Sequence, residues 1–579
     1  MKLAPLLLAA ALALPAAPAL ADGGGAQSAG LSAEQRGAWR EVFAAIRAED
    51  WAGASTRLAA LPDGPLHRAA RAELYLAKGS PKAELPQLMA LLESAPEMPK
   101  AEQIARLAQT RGATELPELP RTQSLVWAGS QPRRGRADSI KGDPAAAALE
   151  PLIQPLIKDN RPYEAEALFS ERQDQLGSEA RTEFQQRIGW SYYTIGNDAD
   201  ARRLAGLARA GTGEWAVQGA WAEGLAAWRQ DDCKGAAEAF GTVAQRSGDV
   251  ELAAAAHYWS ARAEMKCGRP ERVQGHLRSA ARQKETFYGL LATTALGMSG
   301  AAASGLHDYR DSEWRGIAGK PNVRAALALA EIGETELADQ FVRHQARIGG
   351  AGDHGALLHL AAELDLASTQ YWLAHNAPRG ASVNFAARYP RPAWRPTRGW
   401  RVDPSLAFAH ALQESNFRTS VVSPAGAVGL MQVRPGTAGD IARARGEPFD
   451  RQLLTSPAAN IEFGQSYIET LRDHHATGGL LPKVIAAYNS GPVPVAEWNS
   501  RRFDRGDPLL YIESLPYWET RGYVPIVLRN YWIYEEGAGK PGDSRTALAQ
   551  GLWPRFPGMP GATAVRLTAD GAKLAYGTE

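Results

Sequence analysis

The chain has 579 residues, of which 45% are hydrophobic and 22% are charged, and its formal net charge at pH 7 is +1. This length predicts roughly three to four domains, and the composition is ordinary for a globular protein. So small a net charge produces no overall electrostatic field, which excludes recruitment of nucleic acid or of an anionic surface by charge alone.

Residues 1–21 have the pattern of an export signal. Lys2 supplies a positive charge, residues 3–14 are apolar, and Ala19-Leu20-Ala21 places small residues before a cleavage site at Asp22. The apolar run is shorter than the ~20 residues that a membrane helix needs, and an uncleaved anchor is the alternative. We expect the mature protein to lie outside the inner membrane, with no membrane segment of its own.

Residues 22–380 are predicted to form an α-helical solenoid. From about Leu31 to Gly380, apolar residues recur every three or four positions, with frequent polar or glycine breaks. Three similar segments of aromatic and small residues followed by a turn lie roughly 30 to 40 residues apart, which indicates stacked helix pairs. They are Trp190–Gly196, Leu225–Asp232 and Trp259–Gly268. Because one pair cannot bury its own apolar face, the pairs should stack into a curved array.

The chain contains two cysteines, Cys233 and Cys267, one predicted repeat apart. Export to an oxidising compartment allows a disulfide between them. The alternative is a pair of buried thiols that act as small apolar residues. No Cys or His cluster has metal-ligand spacing, so no metal site is predicted.

Changes in composition predict the remaining boundaries. Residues 112–144 are rich in proline, glycine and charge, which indicates an irregular connection. Prolines then cluster over residues 381–398, which predicts a linker, because proline ends helices. A compact domain is expected over residues 399–543. Residues 544–579 are rich in glycine, proline and threonine and are predicted to be a C-terminal tail with little core of its own.

The first candidate site residue is Glu414, near the end of a predicted helix. Asp403 and Pro404 suit the start of that helix, as a cap and as a first helical residue. At its other end the helix dipole disfavours a carboxylate, and burial disfavours it too, so the pKa of Glu414 should be raised. A raised pKa suits a general acid at neutral pH, and Ser415 is placed to hydrogen-bond the carboxyl group.

A glycine-containing loop, Ser423–Gly429, leads to the second candidate group. Its glycines permit a tight turn that directs Met431 and Gln432 back toward the first helix. Met431 suits either the core or the site. A buried amide such as that of Gln432 needs hydrogen-bonding partners, which the hydroxyl or acetamido groups of a sugar would provide.

Two further motifs complete the candidate site. Tyr488 and Asn489 end an apolar helix, and the phenol of Tyr488 is expected to reach Glu414 or the leaving oxygen. Glu513 precedes a proline turn, either facing a cleft or taking part in an ion pair. The segment Glu519–Tyr523 follows it.

These motifs together resemble the soluble lytic transglycosylases of Gram-negative bacteria. The resemblance rests on Glu414-Ser415, Gly429-Leu-Met-Gln432, Ala487-Tyr-Asn-Ser-Gly-Pro492 and Glu513-Ser-Leu-Pro-Tyr-Trp-Glu-Thr-Arg-Gly-Tyr523 over about residues 400–534. It implies a mainly α fold, in which a compact domain like goose-type lysozyme follows a ring-type superhelix. The string Thr286-Phe-Tyr-Gly-Leu-Leu-Ala292 is typical of that superhelix.

The resemblance implies cleavage of the bond between N-acetylmuramic acid (MurNAc) and N-acetylglucosamine (GlcNAc) in periplasmic peptidoglycan. Glu414 would be the single acid and base, and the product would carry a 1,6-anhydromuramoyl end. The implied substrate contacts are Ser415, Met431, Gln432, Tyr488, Asn489, Glu513 and Tyr523.

Two alternatives to a transglycosylase stay open. One is a lysozyme-like hydrolase of the same fold, and the other is a non-catalytic scaffold that binds peptidoglycan, because helical solenoids commonly bind partners. No cofactor is expected. We expect a monomer whose partners are glycan strands and, through them, other cell-wall enzymes, with no nucleic acid.

Overall fold

The computed structural model describes residues 30–298, 311–569 and 573–574, and these residues are mainly α-helical. The chain divides into two compact units. One contains the chain before residue 122 together with Ala318–Gln345, and the other contains Thr122–Ile317 and the chain from Ala346 onward. The candidate site lies in the second unit.

The described part of the chain contains 27 α-helices. The first fifteen are α1 Ala33–Arg47, α2 Trp51–Ala60, α3 His67–Leu76, α4 Leu85–Ser94, α5 Ala101–Thr110, α6 Pro144–Lys158, α7 Pro162–Ser170, α8 Ser178–Ile195, α9 Asp198–Arg209, α10 Gly213–Arg229, α11 Cys233–Arg246, α12 Val250–Lys266, α13 Pro270–Ala281, α14 Phe287–Ala295 and α15 Asp311–Ala318. The remaining twelve are α16 Pro321–Ile332, α17 Thr335–Ile348, α18 His354–Glu363, α19 Ala367–His375, α20 Pro404–Ser415, α21 Pro435–Ala444, α22 Pro457–Asp473, α23 Leu481–Ser490, α24 Pro492–Arg501, α25 Pro508–Ser514, α26 Trp518–Gly537 and α27 Asp543–Ala549.

Helices α8 to α13 form the predicted array of helix pairs, in which each helix packs against the next along the chain. The three aromatic segments found in the sequence end α8, α10 and α12. These helices begin at Ser178, Gly213 and Val250, which agrees with the predicted repeat length. Trp221 and Trp259 are buried, so their bulk fills the space between successive helices. The prediction of a mainly α fold with a helical array is confirmed.

Local sequence explains where these helices begin and end. Asp232 caps α11 by accepting a hydrogen bond from the Gly235 amide, and Asp249 caps α12 in the same way through Leu252. Gly196 ends α8 with a φ of 87°, in the left-handed region that glycine adopts without strain.

A disulfide joins the array across one repeat. Cys233 begins α11, Cys267 caps the end of α12, and their Cα atoms lie 5.5 Å apart. The sequence left open a disulfide or two buried thiols, and the structure contains the disulfide.

The two proline-rich segments are irregular but packed. Between α5 and α6 the one regular element is strand β1 (Val126–Trp127), which pairs with β2 (Asn376–Ala377) in antiparallel fashion. Within the predicted linker 381–398, a 3-10 helix forms at Phe385–Arg388, and Tyr389 next to it is 4% exposed. The linker is thus held against the rest of its unit, whereas its boundaries and those of the neighbouring domains stay predictions.

The predicted C-terminal tail, as far as the structure describes it, forms short regular elements and packs against the neighbouring domain. It contains α27 and three short antiparallel strands, β3 (Trp553–Pro554), β4 (Ala564–Leu567) and β5 (Lys573–Leu574). Trp553 is fully buried, and its indole N–H donates to the Gly506 carbonyl over 2.8 Å. Trp553 therefore anchors a segment whose composition alone does not predict a folded structure.

The predicted export signal, residues 1–21, lies outside the described residues. Over the described ranges, no helix is both long enough and apolar enough to cross a membrane.

Candidate active site

Helix α20 positions the candidate acid. Asp403 accepts a hydrogen bond from the Ser405 amide, Pro404 is the first helical residue, and the helix ends at Ser415. Asn416 then turns the chain with a φ of 52°. Glu414 thus lies in the last helical turn, as predicted, and its side chain is half-buried.

The environment of Glu414 favours the protonated carboxyl group. Burial is the largest influence and, together with the nearby carboxylate of Glu519, raises its pKa to about 7, although a hydrogen bond from Tyr523 acts in the opposite direction. This is the direction that the sequence predicts. A carboxyl group with a pKa near the working pH can both donate and accept a proton during a reaction.

The phenol that contacts Glu414 is that of Tyr523 rather than that of Tyr488. The Tyr523 hydroxyl donates to Oε1 of Glu414 over 2.6 Å. The Tyr488 hydroxyl donates instead to the Met431 carbonyl over 2.7 Å, which corrects the expected contact with Glu414, whereas a contact with the leaving oxygen stays a prediction. Both phenols have pKa values raised well above the usual value, first by burial and next by the charge of Glu414, so both stay protonated.

The loop after Ser423 is held by Asn460, a residue that the sequence analysis missed. Its side-chain amide donates to the carbonyls of Val428 and Leu454, and its Oδ1 accepts from the Met431 amide. Gly429 has a φ of 76°, and a Cβ atom there would lie 2.2 Å from the Leu454 carbonyl oxygen. Only glycine fits this close approach, which explains the glycine in the motif.

Two predicted substrate contacts are internal to the structure. The Met431 side chain is fully buried and its sulfur lies against Gly464, so Met431 is a core residue. The Ser415 hydroxyl donates to the Ala411 carbonyl over 3.1 Å and is buried, so it neither bonds Glu414 nor faces a ligand. The sequence could not show this, because a serine at a helix end bonds the preceding turn as readily as a neighbouring carboxyl group.

Gln432 remains half-buried beside the loop. Its Nε2 donates to the carbonyls of Val421 and Gly429, and its φ of 47° places it in the left-handed region. The protein itself therefore satisfies the amide nitrogen for which a sugar partner was expected.

Asn489 links two helices next to Glu414. Its amide donates to Glu519 over 3.1 Å, and its carbonyl oxygen accepts from the Thr520 hydroxyl over 2.6 Å. Because Glu519 also acts on the pKa of Glu414, a second carboxylate lies near the candidate acid. Glu519 belongs to a motif that is visible in the sequence, but the sequence indicates no role for it.

Glu513 is the ion-pair alternative rather than a residue of an open cleft. It is 1% exposed, and its two carboxylate oxygens accept hydrogen bonds from Arg134 over 2.6 and 3.1 Å. The Tyr288 hydroxyl donates to the same carboxylate over 2.7 Å. The expected substrate contact through Glu513 is therefore corrected, since its oxygens are occupied by protein donors.

A buried histidine was also missed. His410 lies one helical turn before Glu414, is fully buried, and packs its ring against those of Tyr488 and Tyr523. Burial lowers its pKa to about 3, so it is neutral at ordinary pH and adds no charge near Glu414. Across the described residues, no group of three or more His, Cys, Asp or Glu side chains is arranged to hold a metal ion.

Comparison with known proteins agrees with this geometry. A family model described as the transglycosylase SLT domain matches residues 394–510, which include Glu414, Gln432, Asn460 and Asn489. For this SLT domain, the resemblance to the soluble lytic transglycosylases is confirmed.

Individual relatives are similar to about a quarter of the chain in sequence. The soluble lytic murein transglycosylase of Salmonella typhimurium is 41% identical over 149 residues, or 25% of this chain and 23% of that protein. That of Escherichia coli is 37% identical over 164 residues, or 28% and 24% of the two chains. The matches thus span about a quarter of the length of these curated relatives.

The crystal structure of the 70 kDa soluble lytic transglycosylase of Escherichia coli is similar to this chain with a TM-score of 0.56. It covers 90% of this chain and 99% of that chain at 17% identity. At this identity the likeness concerns the fold alone. Because it covers 90% of the chain, it extends well beyond the residues 394–510 that the family model matches.

Proposed function

We propose that the chain is a lytic murein transglycosylase that cleaves the β-1,4 bond between MurNAc and GlcNAc in peptidoglycan and leaves a 1,6-anhydromuramoyl end. The observation that carries the proposal is the half-buried Glu414, whose pKa is raised to about 7 inside a domain of the SLT family. Relatives of this domain bear the name of soluble lytic murein transglycosylases.

Glu414 acts first as the general acid. It protonates the glycosidic oxygen, so that the bond to GlcNAc breaks while positive charge develops at the anomeric carbon of MurNAc. The acetamido oxygen of MurNAc stabilises that charge, as in substrate-assisted glycosidases. Tyr523, which donates to Oε1 of Glu414, stabilises the carboxylate that this step produces.

Glu414 acts next as the base. Its carboxylate accepts the proton of the MurNAc C6 hydroxyl, and the C6 oxygen forms a bond to the anomeric carbon. The 1,6-anhydro ring closes without water, and the proton accepted by Glu414 restores the acid. Because the attacking hydroxyl belongs to the same sugar, its effective concentration exceeds that of any external nucleophile. Gln432, Tyr488 and Asn489, which are half-buried, are the proposed sugar-facing residues.

The test is digestion of purified peptidoglycan sacculi by the full chain, followed by mass spectrometry of the soluble products. We expect GlcNAc–anhydroMurNAc fragments, each one water lighter than the corresponding hydrolysis product. Products with reducing MurNAc ends would contradict the transglycosylase. A lack of any product from folded protein would instead favour the scaffold alternative.

A lysozyme-like hydrolase is the second candidate, and Glu519 is the observation that favours it. Most glycosidases use two carboxyl groups, and Glu519 lies close enough to raise the pKa of Glu414. If Glu519 activated water or formed a covalent intermediate, Glu519→Gln would abolish cleavage. A transglycosylase with one acid would keep cleaving, with an altered pH profile.

The proposed place of action is the periplasm, after removal of residues 1–21. The proposed state is a monomer that acts on glycan strands. Periplasmic fractionation of cells that produce the full chain tests the location, and sedimentation analysis of the purified protein tests the monomer.

A further inference from the structure

Helix α26 has two faces with different neighbours. With 3.6 residues per turn, Glu519 and Tyr523 lie on one face, which is turned toward Glu414. Trp518, Arg521 and Pro525 lie on the opposite face, which lines two adjoining cavities. The same helix therefore separates the candidate active site from a second space that the proposed mechanism does not use.

The second space has room for a small polar group. One cavity has a volume of about 180 Å³ and extends from Arg521 to Arg136 and Arg187. The other has a volume of about 50 Å³, and the two share Arg134, Trp518 and Arg521 as walls. Both exceed the ~10–15 Å³ that a single water molecule needs, so a carboxylate group fits. We call the two together the arginine cavity.

Two of its arginines are neutralised by the protein. Arg134 pairs with Glu513, and Arg187 pairs with Glu150 and Glu183. Arg136 and Arg521 form no ion pair with a carboxylate of the described chain. Arg133 and Arg529 also line the arginine cavity without an ion pair in the described chain, and Glu251 is the carboxylate on its wall. Arginines therefore outnumber carboxylates there, which is a general feature of a site for an anion.

Arg521 is held rigidly in spite of its missing counter-ion. Its guanidinium lies 4.1 Å from the Trp190 ring centre and 5.2 Å from that of Trp518. Its Nη1 donates to the Leu515 carbonyl over 2.9 Å, whereas its Nε and Nη2 have no acceptor in the described structure. Burial lowers the pKa of Arg521 to about 9, although the charge of Glu513 acts in the opposite direction.

Arg134 shows the contrasting arrangement in the same cavity. Its guanidinium also lies near a tryptophan, 4.8 Å from the Trp221 ring centre, but both of its Nη atoms donate to Glu513. Packing on tryptophan is thus common to both arginines, and the carboxylate partner is what Arg521 lacks. A planar guanidinium with free edges suits a carboxylate that binds through both oxygens.

We propose that the arginine cavity is a second ligand site, in which Arg521, with Arg136 beside it, binds a carboxylate of a peptidoglycan fragment. The class of ligand rests on the proposed function, whereas the carboxylate chemistry rests on the cavity alone. Peptidoglycan offers this group from two sources, the lactyl carboxylate of peptide-free MurNAc and the carboxylates of the stem peptide.

Binding is measured by isothermal titration calorimetry with the full chain carrying Glu414→Gln, so that no ligand is consumed. The probes are a GlcNAc–MurNAc disaccharide, the same disaccharide with its stem peptide, the free stem peptide, and chitobiose, which lacks a carboxylate. Preference for the peptide-free disaccharide over chitobiose identifies the lactyl source, and binding of the free peptide identifies the peptide source.

Introducing Arg521→Gln should weaken the binding of whichever carboxylate probe binds best by tenfold or more, with no change for chitobiose. Arg136→Gln should weaken it about threefold, because this side chain is exposed. The matched control is Arg443→Gln, an exposed arginine of α21 paired with Asp440, which should change nothing. Thermal unfolding checks that each variant is folded. If Arg521→Gln does not fold, the affinity of Arg136→Gln for the carboxylate probes tests the proposal instead.

Equal affinities of the parent, Arg521→Gln and Arg136→Gln chains for all carboxylate probes would overturn the proposal. So would a parent chain that binds no carboxylate probe better than chitobiose. Neither outcome depends on cleavage. A wild-type chain that binds these probes through Arg521 but leaves sacculi intact would contradict the proposed function and leave the second site standing.

Discussion

Glu414 and Glu513 are both motif glutamates of the second unit, yet their surroundings oppose each other. Glu414 has a phenol and a second carboxylate as neighbours, and its pKa is raised to about 7. Glu513 is more deeply buried but accepts two hydrogen bonds from Arg134 and one from Tyr288. Burial alone therefore does not make a proton donor, because protein donors occupy both oxygens of Glu513.

Glu414 is therefore the proposed acid, and Glu513 is a structural residue. Substitutions at each glutamate and at its partners test these two roles.

Replacing Glu414 with Gln should lower kcat on sacculi by about 10²–10⁴-fold or more, because the amide cannot donate a proton to the leaving oxygen. The thermal unfolding temperature should stay close to that of the wild type, since the side chain is not part of an ion pair. Release of soluble fragments and calorimetry measure the two quantities. A variant that retains most of its activity would show that another group is the acid.

Replacing Arg134 with Gln should lower the free energy of unfolding by about 3–5 kcal/mol, because Glu513 then stays buried without its cation. Chemical denaturation measures this loss. Arg443→Gln is the matched control, and its exposed pair with Asp440 should contribute at most about 1 kcal/mol.

The double variant Arg134→Gln with Glu513→Gln should be more stable than Arg134→Gln alone, because it removes the unpaired charge. If the double variant were the less stable of the two, the ion pair would not be the reason for the loss.

Replacing Tyr523 with Phe should shift the alkaline limb of the pH–activity profile toward higher pH. The Tyr523 hydroxyl donates to the charged carboxylate, an interaction worth about 1.5–3 kcal/mol, so its loss raises the pKa of Glu414. Because the acid must be protonated, activity then persists to higher pH, although the maximal rate should fall. An unchanged alkaline limb would mean that Tyr523 does not act on the acid.

Replacing Glu519 with Gln should shift the alkaline limb toward lower pH. The shift should be smaller, because Glu519 is exposed. Removing a nearby negative charge lowers the pKa of Glu414, so Glu414 loses its proton at a lower pH than in the wild type. Salt screens the charge of Glu519, so the shift should be smaller at high salt. The shift caused by Tyr523→Phe should not depend on salt in this way. Complete loss of cleavage would instead favour the two-carboxylate hydrolase.

Much of the helical architecture could be predicted because its causes are local. Asp403 and Pro404 begin α20 where the sequence indicates a cap, and α8, α10 and α12 end in the aromatic segments that mark the repeat. The tail could not be predicted in this way. Its burial rests on Trp553, whose partner Gly506 is 47 positions away.

Within the candidate site, the sequence by itself determined which acid stands at a helix end and which direction its pKa takes, because helix position and apolar neighbours are visible along the chain. Only the tertiary structure decided the partners. Tyr523 reaches Glu414 across 109 positions and Arg134 reaches Glu513 across 379, so no local pattern distinguishes them from Tyr488 or from an open cleft. Hydrogen bonds and charges act over a few ångströms, and folding alone determines which distant residues come that close.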